Sequence, residues 1–120
     1  VNWKSHPCHG VNIGGKVKDP STSRLGNSVG LWEESTLVVN TTGVSFPYLD
    51  EYGTPQSDSV EIVERFTLRE DGRYLDWSAT VTDPEVFTEP FVLSTIRWEW
   101  LPDEALQPYN CAKTDDLLDP

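Results

Sequence analysis

The sequence predicts an all-β domain: an antiparallel up-and-down meander curling into a barrel or half-barrel, with a β-sandwich as the runner-up. Three observations carry this expectation. Residues 59–83 alternate apolar and polar side chains at the period of two that strands impose. An Asp71-Gly72 pair divides the alternating run, where a hairpin needs positive φ. Pro and Gly cluster between the strand-like segments, and no helix of any length is required.

Taken in order, residues 1–27 are rich in Gly, Ser, Asn, Lys and Pro and read as a loop-rich N-terminal segment. The β domain proper spans 28–102. "SVGLWEE" (28–34) and "STLVVNTTGVS" (35–45) are β-rich and split by a polar Glu33-Glu34-Ser35 turn. Pro47, Gly53 and Pro55 exclude regular structure from most of 46–58. "SVEIVERFTLRE" (59–70) sets Val60, Ile62, Phe66 and Leu68 on one face and Glu61, Arg65, Thr67 and Arg69 on the other. Its hairpin partner "RYLDWSATVTD" (73–83) sets Leu75, Trp77, Ala79 and Val81 opposite a polar face. "PEVFTEP" (84–90) is a loop bounded by two prolines. The last strand, 91–101, is apolar on both sides: Phe91, Leu93 and Leu101 share one face, and Val92, Ile96, Trp98 and Trp100 the other. Such strands are normally covered twice, which points to a homodimer. Residues 103–120 form an acidic tail packed on or near the domain, with one helical turn near Asp103–Leu106. A lipocalin-like outline fits this order of strands.

Composition narrows the function classes. The 120 residues fit one domain, and five Trp offset a modest hydrophobic share of 37%. A net charge of −11 opposes binding to nucleic acid or to anionic membrane, both of which require Lys and Arg. No apolar run approaches the roughly 18–20 residues that span a bilayer. The chain starts at Val1 and has no Met, as removal of an initiator or of an upstream segment would leave it. Were that segment a signal peptide, the protein would be extracytoplasmic, the location favoured here over the cytoplasm.

"VGLWEESTLVVNTTGVSFPYLDEYGTPQSDSVEIVERF", followed by "TVTDPEVFTEPF" (80–91), resembles a pattern found in a family of uncharacterised bacterial and environmental proteins. That pattern reads W-E-G-D-T-L-V-V-x-T-T-G-F, then Y-L-D, G-x-P-H-S-D and V-x-E-R-F. The resemblance covers about 28–91 and implies the same β fold and export from the cell; it implies no particular activity. Glu34-Ser35 replaces the family's Gly-Asp, so the hairpin turn differs. Gln56 replaces the family's His, which removes any catalytic histidine at that position.

Several residues stand out as candidates. "HPCHG" brings His6, Cys8 and His9 together. With Cys111 they make a His2Cys2 zinc set on paper, a Cys8–Cys111 disulfide as the alternative, or free ends as the plainest reading. The disulfide would close a loop of about 100 residues and stabilise by up to about 4–5 kcal/mol. No metal is expected on balance, and no cofactor: there is no phosphate loop and no dinucleotide fingerprint.

Glu64 shares a face with Val60, Ile62, Phe66 and Leu68, so alternation points it inward, where a lone carboxylate is costly. It is a candidate general base or ligand anchor. A salt bridge to Arg97 or Arg65, or a bulge at Val63–Glu64, would be the structural alternatives. "YLDEYGTPQSD" supplies Tyr52 and Asp58 in a loop at a sheet end, with Asp58 a second candidate base or a turn cap. Trp32, Trp77 and Trp98 would line an aromatic site or fill a core.

The expected function is therefore binding of a small apolar or neutral ligand in a Trp-lined cavity or dimer cleft, anchored by Glu64. A small isomerase or hydrolase using carboxylate chemistry is the alternative, and a purely associative homodimer the third. The sequence leaves open whether the chain is an enzyme.

Overall fold

A computed structural model describes residues 11–14 and 22–105. The strands lie in one unit, Val11–Trp100; beyond it, residues 101–105 form a turn closed by Glu104 N–H to Leu101 O at 3.2 Å. The elements are β1 (Val11–Ile13), β2 (Asn27–Glu33), β3 (Thr36–Thr42), β4 (Glu61–Arg69), β5 (Tyr74–Thr82) and β6 (Phe91–Glu99). They form one six-stranded sheet in chain order. β2 to β6 are antiparallel throughout, as the alternation requires, while β1 pairs in parallel with β2. The fold is all-β, and among the described residues the sheet is open, with β1 and β6 as its edges.

β1 lies inside the stretch read as loop. Three residues are too few to show a period, and its placement depends on Gly30: a Cβ there would meet Ile13 Cδ1 at 2.7 Å and Val11 Cγ1 at 3.2 Å. The missing side chain lets β1 lie close against β2.

Two hairpins set the register. Glu34 and Ser35 alone join β2 to β3, with Glu34 at φ 56°, where a side chain costs about 1 kcal/mol. The β4–β5 turn is wider than its Asp-Gly core: Glu70, Asp71 and Gly72 all take positive φ, and Gly72 N–H donates to Arg69 O at 3.1 Å.

Register divides the sheet into two faces of different chemistry. On one, Ser28, Thr41, Ile62, Val81 and Phe91 form the first cross-strand row; Gly30, Val39, Glu64, Ala79 and Ser94 form the second. Trp32, Leu37, Phe66, Trp77 and Ile96 form the third, and Leu68, Leu75 and Trp98 the fourth. The reverse face carries Arg65, Arg69, Asp76, Arg97 and several hydroxyls.

A bulge near Ala79/Thr80 corrects the sequence reading of β6. Phe91 pairs with Val81 and Ser94 with Ala79, so Phe91 shares a face with Ile96 and Trp98 instead of opposing them. One extra residue in a strand reverses every side chain before it. Within the single chain, Val92, Leu93, Ile96 and Trp98 of β6 are all exposed.

The core lies against the first two rows of the first face, where Val39 and Ala79 are also buried. Val44, Val60 and Val81 form its buried centre, and Phe46, Leu49, Ile62, Phe87 and Phe91 pack around them. Full burial of Val81 (0% exposed) is worth about 1.5–3 kcal/mol. Residues 43–60 provide the lid over this end, joined to the segment before β2 by Ser45 N–H to Ser23 O at 2.6 Å. Beneath it Ser28 and Thr41 hydroxyls pair at 2.6 Å, so these buried polar groups satisfy each other.

Candidate functional site

The same face brings three of the candidate residues together: Glu64, Trp77 and Trp98. Glu64 is held neither by Arg65 nor by Arg97, which belong to the reverse face, and β4 has no bulge to turn it outward. Its partner is an indole: Trp77 Nε1–H donates to Glu64 Oε2 at 2.9 Å. The two residues are diagonal neighbours, because Glu64 pairs with Ala79 and Trp77 lies two positions before it. Glu64 Oε1 accepts no hydrogen bond among the described residues.

Trp98 leans on Trp77, with ring centroids 6.0 Å apart and an interplanar angle of 43°. It is 45% exposed, and Ile96 and Leu68 beside it are exposed as well. The arrangement presents the exposed Trp98 ring next to an oriented carboxylate oxygen. An apolar ring can stack on the first while a hydroxyl donates to the second.

The remaining candidates do not join this group. Trp32 stands in the same row as Trp77 but is 63% exposed and makes no ring contact among the described residues. It borders a separate recess of about 550 Å³ with Val29, Leu31 and Val38. Tyr52 stands at a loop tip, 86% exposed. That loop is organised by Asp50 instead: its Oδ1 accepts from Tyr52 N–H at 2.9 Å and Thr54 N–H at 3.1 Å, and its Oδ2 from Thr54 Oγ1–H at 2.6 Å. These bonds, the Thr54 hydroxyl foremost, hold the Asp50 carboxyl below its ordinary value. Asp58 is exposed in the turn closed by Val60 N–H to Ser57 O, and Ser57 provides the cap there: its Oγ accepts from Ser59 N–H at 3.1 Å. His6, Cys8, His9 and Cys111 lie outside the described residues. Among the described residues no group of three His, Cys, Asp or Glu side chains could hold a metal.

Sequence reasoning missed Asp83. This carboxylate is 1% exposed at the end of β5 and accepts from Ser57 N–H at 2.6 Å, Ser57 Oγ–H at 2.6 Å and Glu85 N–H at 3.3 Å. Ser59 Oγ–H bonds Glu85 alongside. Burial pushes the Asp83 carboxyl up, but the donated hydrogen bonds outweigh it and leave the group below its ordinary value. Asp83 thus clamps the lid onto the sheet. The signal available was the pair of blocks "PQSDS" and "TDPE", each of which reads alone as turn punctuation.

Comparison with protein-family models, with curated proteins and with solved structures yields no match.

Proposed function

We propose that this domain binds a small neutral ligand with an apolar face, such as a sugar ring, on the open sheet surface of Trp77 and Trp98, with Glu64 as the polar anchor. The observation that carries the reading is the Trp77–Glu64 hydrogen bond beside an exposed Trp98. It orients both groups before any ligand arrives, which lowers the ordering cost of binding. The proposed site is an exposed patch on the open sheet.

Titration of the protein with neutral gluco-oligosaccharides, and in parallel with an uncharged aromatic probe, is expected to change Trp fluorescence in a saturable way. Trp98→Ala should weaken binding roughly tenfold. Glu64→Gln retains a carbonyl for the indole N–H, so it should weaken the sugar several-fold and leave the aromatic probe nearly unaffected. Binding that is unchanged in both variants would remove this face from the function.

A second reading rests on a different observation. β6 is a nine-residue edge strand with exposed Val92, Leu93, Ile96 and Trp98 and carries no Lys or Pro to discourage pairing. Association of two copies along β6 would place Trp98 at a dimer cleft. Light scattering on the purified chain decides it: a concentration-independent monomer mass rejects the dimer.

A further inference from the structure

We propose that the reverse face of the sheet holds an oxyanion site, suited to a phosphate or sulfate group, built from Arg65, Arg97, Ser78 and Thr95. These residues border a groove of about 440 Å³ that Arg69 and Asp76 complete at one side. Arg65 on β4, Ser78 on β5 and Thr95 on β6 stand in one cross-strand row, and Arg97 is one step along β6 on the same face. Strand pairing therefore fixes the spacing of all four donors.

Charge favours an anion here even though the whole chain carries −11. Three guanidiniums and one carboxylate, Asp76, border the groove, and counting Glu33 beside Arg65 still leaves one positive charge in excess. Arg97 is pre-positioned: its Nε–H and one Nη2–H bond the two Asp76 oxygens at 2.7 and 2.9 Å, and its guanidinium lies 5.0 Å over the Tyr74 ring. Among the described residues, three of its five N–H groups make no hydrogen bond. Asp76 in turn is held below its ordinary value by Arg97 first and then by Arg69, so it stays charged and keeps Arg97 in place.

Arg65 is the less firmly held of the two arginines. Among the described residues its ionic neighbour is Glu33, 3.6 Å away with both side chains half or more exposed. A solvated contact of that kind is weak and easily exchanged for a ligand. Ser78 and Thr95, directly opposite each other, make no side-chain hydrogen bond among the described residues. Two hydroxyls on the floor and guanidinium N–H groups from two sides approach from different directions. That suits the tetrahedral array of a phosphate or sulfate better than a planar carboxylate.

The test is titration calorimetry with inorganic phosphate, sulfate and acetate at fixed ionic strength. Wild type is compared with Arg65→Gln, with the double variant Ser78→Ala/Thr95→Ala, and with Arg73→Gln. The last removes the same charge from the hairpin, outside the groove. Expected is one saturable site for phosphate or sulfate, weaker for acetate, reduced roughly tenfold by Arg65→Gln and by the hydroxyl pair but little by Arg73→Gln. Circular dichroism and Tm confirm that each variant is folded. The proposal is overturned by absence of saturable binding, by acetate binding as tightly as phosphate, or by equal losses in Arg65→Gln and Arg73→Gln, which would mean a diffuse field and no site. A Trp98→Ala control leaves this binding intact, since Trp98 faces the other side.

Discussion

Asp83→Ala is expected to cost about 3 kcal/mol of stability, the scale of leaving several buried donors without a partner. Ser57 loses the acceptor for both its N–H and its hydroxyl, and the Glu85 N–H loses its own. The damage spreads because Ser57 anchors the lid, whose Val44 and Val60 pack with Val81 in the core. Asp83→Asn retains one acceptor oxygen and should cost less. Urea unfolding followed by Trp fluorescence measures both, and an Asp83→Ala midpoint equal to wild type would show that the clamp is idle.

The same residue sets a pH dependence. The Asp83 carboxyl titrates below its ordinary 3.8 in the folded chain. Its contribution to stability is therefore complete above about pH 4 and disappears as pH falls through the lower folded value. Asp83→Asn should flatten that acid limb while leaving the slope near neutrality unchanged.

Gly26→Ala is the second large effect. Gly26 sits at φ 71°, and a Cβ there would lie 2.5 Å from Thr42 O and 2.7 Å from Val44 Cγ2. The first obstacle is backbone within the sheet and the second a side chain of the buried core, so neither gives way cheaply. Left-handed strain and the clash together should cost about 2–3 kcal/mol and lower Tm by about 10 °C. Gly53→Ala is the matched control: it too has positive φ, at 82°, but nothing lies within 4 Å of the added methyl. Its cost should be the strain alone, about 1 kcal/mol. Calorimetric melts that fail to separate the two would refute the steric account.

The parts of the fold that were legible in the sequence are those governed by local alternation. β4 and β5 are read within about two residues of their ends, and the Asp71-Gly72 centre already implies that Glu64 faces Ala79 with Trp77 diagonal to it. The placement of Glu64 on the apolar face was thus available from spacing, whereas its indole partner needed the register to be followed one step further. What stayed hidden depends on single-residue geometry or distant pairing. The bulge that brings Phe91 round to the side of Ile96 has no composition of its own. Asp83 and Ser57 lie 26 residues apart, and nothing in either block names the other. Tyr52 and Asp58 look like ligand residues by type, yet the loop is built around Asp50 and Ser57, whose short side chains reach neighbouring backbone N–H groups.

The strand order itself has a kinetic consequence. Every antiparallel pair joins strands adjacent along the chain, so the sheet can grow by successive hairpins. The β4–β5 hairpin, with its four-residue connection and nine paired positions, is the natural place to begin, on a timescale of about 1–10 μs for a hairpin alone. β3 must first close the long segment 43–60, which delays it and couples its docking to formation of the Ser57–Asp83 clamp. Folding is therefore expected to finish where the lid seats on the sheet, and substitutions in the lid should accelerate unfolding more than they slow folding.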